Sequence, residues 1–317
     1  MDLLKELEGA KRIGITGHVR PDGDCVGSCL ALLHYLEICM PDAEKEVFLE
    51  DPGRSFAKIK KRECLICDFP EREPFDAFIV CDTTGSKERI GEAIKYFESA
   101  AKTLNVDHHI SNKEGSAMVN HVCPEVSSCA EVLYELMDES RVDAVIAELI
   151  YMGMAHDTGV FRFSNTSRRT MEIAGKLITY GFDFPMLLDE TFYVKTYVQS
   201  RFQAQVLLNA RRYLEDRVIV GTADKRFMDA MGAGKDDTDG AVNELRNIHG
   251  IECAVFIYEK EPGLYKASLR ASTDNVNVAK VAESLGGGGH VRAAGCDYRG
   301  AMEDMVYILL TEISKQL

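Results

Sequence analysis

The sequence predicts an α/β protein: an N-terminal domain built on a parallel sheet with helices on both faces, then a smaller α+β C-terminal domain. Over the first 185 residues, short apolar runs alternate with segments whose apolar residues recur three and four apart. That alternation belongs to strands interleaved with helices in a parallel sheet. Beyond about residue 200, strand-like runs follow one another without a helix between some of them, which favours antiparallel pairing. Lastly, the acidic motifs of the first half stand directly after apolar runs, at the strand ends where open α/β sheets gather ligands.

Taken in order, Arg12–Thr16 (RIGIT) is a short buried-strand pattern, followed by the turn HVRPDGD and a helical run from about Cys25 to Ile38. Ala77–Cys81 (AFIVC) is a second strand and Thr103–Val106 a third, while Ser127–Met137 and Ala144–Ala155 carry helical periodicity. From about Pro185 to Glu215 the pattern is helical and poor in Gly and Pro, as a connecting helix would be. Val218–Val220, Cys253–Tyr258 and Tyr265–Leu269 then read as strands. Ala241–Ile248, Val278–Ser284 and Met302–Ile313 read as helices. The expected division is a domain over 1–185, a helical linker over 186–215 and a second domain over 216–317. Apart from the glycine run Gly286–Gly289 there is no low-complexity tract, and no internal repeat.

Bulk properties narrow the function. A chain of 317 residues is long enough for roughly two domains. No apolar run reaches the roughly 20 residues that span a bilayer, so no membrane partner is expected. The start MDLLKELEGAKR interleaves acidic and basic residues, unlike a secretory signal. Ten cysteines without framework spacing point to a reducing compartment, hence the cytoplasm. Cys64 and Cys67 form one CxxC, but a structural zinc site usually takes four ligands and no second pair is suitably spaced. Cys25 and Cys29 are expected to fill one helix face. A net charge of −14 argues against holding long nucleic acid through its phosphates. A short phosphate-bearing substrate remains compatible, because bound metal ions supply positive charge locally.

The chemistry sits in five motifs. In GHVRPDGDCVGS, Pro21 and Gly23 enforce a tight loop, and Asp22 and Asp24 alternate about Gly23, so their carboxylates can serve two centres, with His18 beside them. A lone DGD is also an ordinary turn. Asp82 ends a strongly apolar strand in Cys81-Asp82-Thr83-Thr84, where a helix cap or turn is the competing reading. Asp107-His108-His109 follows the third strand. Adjacent side chains diverge, so one histidine can bind metal while its neighbour faces substrate, and Asp107 suits fixing an imidazole by hydrogen bond. His156-Asp157-Thr158-Gly159 closes a helix. Together these supply five carboxylates and several imidazoles, a set without Cys that selects a hard ion. Imidazole tilts the choice to Mn²⁺, with Mg²⁺ as the alternative. Sites holding two such ions act on phosphate esters by in-line displacement. In the second half, LGGGGHV (Leu285–Val291) with Arg270, His290 and Arg292 reads as a phosphate- or nucleotide-binding feature. Consecutive glycines let backbone N–H groups approach an anion, and guanidinium forks suit phosphate oxygens.

These residues, in this order, resemble the DHH phosphoesterase family, through HVRPDGD, CDTT, Asp107-His108-His109, HDTG and GGGGH, over residues 11 to 298. The glycine motif is similar to that of the DHH-associated domain of the nano-RNase A type. That resemblance implies a hydrolase of short oligoribonucleotides and of 3′-phosphoadenosine 5′-phosphate. Hydrolysis of cyclic dinucleotides or linear pApA is the alternative, and exopolyphosphatase, pyrophosphatase and a non-catalytic nucleotide-binding module are weaker ones. It implies two ions, His18, Asp22 and Asp82 holding the first and Asp24, Asp82, His108 and Asp157 the second, with Asp82 bridging. It also implies His109 beside the scissile phosphate, and Arg270, Gly288, Gly289 and His290 on the substrate-holding face. A homodimer is implied as well. The chain departs from the family where Thr84-Gly85 replaces a frequent Ala-Asn, and where Leu269–Ser272 (LRAS) varies a more usual Arg-Ser.

Overall fold

The computed structural model describes residues 1–317, which divide into two compact units, Met1–Val194 and Lys195–Leu317. In the first unit six strands form one sheet: β1 (Arg12–Thr16), β2 (Glu44–Phe48), β3 (Leu65–Ile66), β4 (Ala77–Cys81), β5 (Lys102–Asp107) and β6 (Val119–Val122). Their order is β3-β2-β1-β4-β5-β6 and every pairing is parallel. Both faces are covered, which is why β4 is apolar at every position. Ala77, Ile79 and Cys81 face the core shared with the helices Gly23–Cys39 and Ala144–Asp157. Phe78 and Val80 face an aromatic core with Phe48, Phe75 and Tyr96. Strands β2 and β6 escape the sequence reading because Glu44, Lys45 and Glu46 interrupt the apolar run of one and the other is a partly exposed edge.

The strand order positions the site. From β1 the chain winds outward through β2 and β3, then returns to β4 on the other side of β1 and winds the opposite way. The carboxyl ends of β1 and β4 are therefore the switch point of the sheet, where neighbouring loops diverge and leave a crevice. Thr16 and Cys81 end those strands, so the HVRPDGD loop and Asp82 both emerge there.

The second unit has a sheet of order β11-β12-β10-β9-β8-β7. Its strands are β7 (Arg211–Tyr213), β8 (Val218–Ala223), β9 (Cys253–Glu261), β10 (Leu264–Ala271), β11 (Gly288–His290) and β12 (Ala293–Arg299). All pairings are antiparallel except β8 with β9, which are parallel. The parallel pair exists because the helix Ala241–Arg246 provides the crossover between them. Val255 and Ile257 pack on one face with the helices Val278–Glu283 and Met302–Ser314, and Ala254 and Phe256 on the other with Phe202 and Leu245.

One local expectation changes. Residues 186–215 are not one helix: Phe184–Leu188 runs into a π-turn, Asp189–Tyr193, and a new helix, Tyr197–Asn209, starts where Thr196 accepts a hydrogen bond from the Gln199 N–H. Residues 211–213 already belong to the second sheet. Within the glycine run, Gly288–His290 pairs with Ala293–Gly295 as an edge strand. A Cβ on Gly289 would stand 2.4 Å from the Ala293 carbonyl oxygen, so glycine is what permits that pairing. No helix is long and apolar enough to cross a membrane.

Candidate metal centre

The helix Gly23–Cys39 begins at Asp22, whose Oδ1 accepts the N–H groups of Asp24 and Cys25, each at 3.1 Å. Asp22 is thus a cap and also a face of the crevice, 3.7 Å from His18 Nε2. The His18 ring donates from Nδ1 to the Val19 carbonyl at 3.0 Å. That bond turns the Nε2 lone pair towards Asp82 Oδ2, 3.4 Å away. Asp24 points inward and is 1% exposed. Its carboxylate accepts the N–H groups of Cys129 (2.7 Å) and Ala130 (2.9 Å), the first residues of the helix Cys129–Leu136, and the Ser28 hydroxyl at 3.3 Å. Negative charge at a helix N-terminus is electrostatically favoured.

Asp82 lies between two groups of donors. Its φ is +60°, a left-handed conformation that costs a non-glycine residue about 1–3 kcal/mol and gathers at functional sites. It is 2% exposed. While Oδ2 faces His18, Oδ1 lies 3.5 Å from His108 Nε2 and has no hydrogen-bond partner. His108 Nε2 is also 3.8 Å from Asp24 Oδ2 and 3.6 Å from Asp157 Oδ2. One set therefore contains His18, Asp22 and Asp82, the other Asp24, Asp82, His108 and Asp157, and each takes a different oxygen of Asp82.

These donors fit divalent cations. A buried carboxylate oxygen with no donor is costly unless a cation meets it. Burial, and then the charges of Asp82 and Asp157, push the Asp24 carboxyl well above its usual range. Burial pushes Asp157 up to about 6 against the pull of His108. Asp157 is also the last residue of the helix Ala144–Asp157, the end where a carboxylate is disfavoured. Burial opposes the charge on His108, but Asp82, Asp24 and Asp157 together outweigh it and raise the imidazole to about 10.

Asp107, fully buried at the end of β5, works through His109. Its Oδ1 accepts from the His109 ring Nδ1 at 2.7 Å and from the backbone N–H groups of His108 and His109. Its Oδ2 accepts from Asn112 at 2.7 Å, and the same Asn112 amide donates to Asn105, which donates to the Thr83 carbonyl. Because Nδ1 is committed to Asp107, its 3.7 Å approach to Asp82 is not a coordinating one.

His156 does not join the donors. Thr191 Oγ1 donates to the Leu187 carbonyl, so it accepts from His156 Nε2 at 3.0 Å. The ring sits between Phe56 and Phe192, and burial lowers its pKa to about 4, leaving a neutral imidazole. Asn165 donates to the Asp157 and Ser127 carbonyls and reaches the Asp157 carboxylate at 3.4 Å.

In the second unit, register aligns His290 on β11, Ala293 on β12 and Arg270 on β10, so the three share one face. Burial, and then the nearby Arg246, lower the pKa of Arg270. The Arg292 guanidinium is paired with Asp274 at 2.8 Å. Gly288 and Gly289 are backbone partners of Gly295 and Ala294.

Several contributors were not legible beforehand. The Cys129 and Ala130 N–H groups are backbone and carry no sequence signal. Asn105, Asn112 and Arg246 lack a motif, although the buried polar pair Asn105 and Asp107 within an apolar strand was a hint. Cys25 and Cys29 both fill the buried face of their helix, and the Cys25 sulfur, a His18 ring nitrogen and an Asp82 oxygen also lie within 4.8 Å of one another.

Comparison with known proteins agrees with this architecture. Residues 12–154 match the model of the DHH family, N-terminal domain, and residues 217–315 that of the DHHA1 domain. The bifunctional oligoribonuclease and PAP phosphatase NrnA of Thermus thermophilus is 29% identical over 99% of this chain and 92% of its own length. That of Bacillus subtilis is 29% identical over 93% and 91%. A crystal structure of an exopolyphosphatase-related protein from Bacteroides fragilis superposes with a TM-score of 0.88 at 25% identity, covering 99% of this chain and 94% of that one. The chain thus carries a DHH family N-terminal domain followed by a DHHA1 domain.

Proposed function

We propose that this chain is a metal-dependent phosphoesterase that hydrolyses short oligoribonucleotides and dephosphorylates 3′-phosphoadenosine 5′-phosphate. The observation that carries the reading is the split of Asp82, one oxygen facing His18 and the other His108, each within a separate set of carboxylates. The two relatives named for both activities match over nearly their whole length and support the choice of substrate. In this reading His18, Asp22 and Asp82 hold one ion and Asp24, Asp82, His108 and Asp157 the other. The carboxylate-rich donor set favours Mn²⁺ over softer ions.

When bound, two such ions supply a nucleophilic water at neutral pH and offset charge on the phosphoryl oxygens. The residues do the rest. Asp107 fixes the His109 ring, so that its Nε2 can donate to a non-bridging oxygen as negative charge grows there. On the second unit, Arg270 and His290, with the backbone of Gly288 and Gly289, hold the terminal phosphate or nucleotide, and Arg292 joins them by exchanging Asp274. A grip on a chain end limits substrates to short ones, in keeping with a net charge of −14. All ten cysteines are free, which supports a cytoplasmic setting, and we take the working form to be a homodimer.

The test is phosphate and mononucleotide release, with Mn²⁺, from 3′-phosphoadenosine 5′-phosphate, pApA, a five-nucleotide RNA, a cyclic dinucleotide and pyrophosphate. Release from the first three is expected. Turnover confined to the cyclic dinucleotide or pyrophosphate would overturn the substrate assignment, and no turnover at all the enzyme reading. Sedimentation of the same preparation tests the dimer.

A further inference from the structure

We propose that Cys25 is a ligand of the ion held by His18 and Asp82, so that this centre has a sulfur donor and takes a softer cation than its neighbour. The inference rests on the metal-centre reading above and concerns a residue outside that ligand set.

The thiol is buried at the carboxyl end of β1. Its sulfur would lie 2.2 Å from a Cβ on Gly17, so only glycine leaves room for it there. The backbone N–H of Cys25 is fixed by Asp22 Oδ1, which ties the side chain to the first turn of the helix Gly23–Cys39. Sulfur, imidazole nitrogen and carboxylate oxygen lie within 4.8 Å of one another. Around a tetrahedral ion with metal–nitrogen and metal–oxygen bonds of about 2.1 Å and metal–sulfur bonds of about 2.3 Å, donors stand roughly 3.4–3.6 Å apart. His18 and Asp82 already meet that spacing at 3.4 Å, and the sulfur needs a shift of about 1 Å at most. Asp82, 2% exposed, presents Oδ2 to this group, while its unpartnered Oδ1 faces His108.

The two centres then differ in kind. One offers an imidazole, carboxylates and a thiolate, a set that suits Zn²⁺, Fe²⁺ or Co²⁺. The other offers three carboxylates and an imidazole, a harder set that suits Mn²⁺ or Mg²⁺. On coordination the thiol proton is released to solvent and the sulfur lone pair forms the bond to the ion, with no change of oxidation state.

Cobalt(II) titration of the full chain under anaerobic conditions tests this. Wild-type protein should bind two ions by elemental analysis and develop a sulfur-to-cobalt charge-transfer band in the near ultraviolet. Cys25→Ser should lose that band, and Cys29→Ser should keep it. Two bound ions without the band, or a band that survives in Cys25→Ser, overturns the role of Cys25 and leaves the metal centre standing. No bound cobalt overturns both. Should Cys25→Ser fail to fold, cobalt-edge X-ray absorption of the wild type decides the point. A sulfur scatterer at about 2.3 Å is expected, and a shell of nitrogen and oxygen alone overturns the proposal.

Discussion

The imidazole of His156 occupies the space directly over Gly23, its Cγ 2.1 Å from where a Cβ on that residue would stand. The ring is held by Thr191 and flanked by Phe56 and Phe192, so it cannot retreat without cost. Gly23→Ala should therefore displace the loop that carries Asp22 and Asp24. A misplacement of about 1 Å at a reacting centre can cost on the order of 10²-fold. We expect that loss in turnover of a short RNA, and a rate within twofold of wild type would contradict the packing described.

Asp82→Ala removes a donor from both sets at once. Turnover should fall to background at saturating Mn²⁺, and bound metal should drop from two ions to one or none by elemental analysis. Retention of both ions would show that Asp82 does not bridge.

Asp107→Asn separates positioning from metal binding. Asparagine can still accept one hydrogen bond but cannot balance a charged His109. We expect kcat to fall by roughly 10²-fold, in the range for general acid–base groups, while metal content and KM stay near wild type. His109→Ala should match it, and the double variant should be no worse than either single one. Additive losses would show that the two act separately.

Gly153→Ala tests the packing behind Asp24. A Cβ there would stand 2.6 Å from Ala130 Cβ and 2.8 Å from Asp24 Oδ1. Overpacking of this kind costs about 1–3 kcal/mol, read as a lowered midpoint in urea. Metal affinity should fall with it, because the displaced carboxylate is a proposed ligand. Unchanged stability would mean that the helices Gly23–Cys39 and Ala144–Asp157 part more easily than their contact implies.

Metal removal should make stability depend on pH. Asp157 is raised to about 6 and Asp24 is raised also, so the folded apoprotein holds more protons than the unfolded chain above the usual carboxylate range. His108, raised to about 10, extends the same imbalance from its usual value near 6.5 upward. Stability therefore falls as pH rises through this window. With EDTA, the melting temperature of the first unit should drop between pH 6 and pH 9. Each kcal/mol lost lowers it by roughly 2–4 °C. Added Mn²⁺ should flatten the slope, and parallel curves with and without metal would argue against a cation in this cluster.

Much of the site was visible because its donors are local to strand ends. His18, Asp22 and Asp24 share one loop, Asp82 directly follows β4, and Asp107-His108-His109 spans the end of β5. Periodicity revealed the central strands because burial on both faces demands an apolar residue at every position, as in Ala77–Cys81. It missed Glu44–Phe48 and Val119–Val122, whose exposed positions tolerate polar residues. That Gly288–His290 forms a paired edge strand was not legible, since glycine permits close backbone approach as readily as it permits a turn.

By itself, the sequence determined which chemical groups are available and the ends of which strands carry them, because residue type and short-range periodicity are local properties. Only the tertiary structure decided how those groups are shared. The order β3-β2-β1-β4-β5-β6 sets β1 beside β4 and brings His18 to one oxygen of Asp82, while β5 beside β4 brings His108 to the other. It also decided that Asp24 closes the start of a helix more than a hundred residues away, and that Cys25, besides filling a helix face, stands near His18 and Asp82. Contacts of that kind depend on strand order and helix packing, which bring together residues that no local pattern connects.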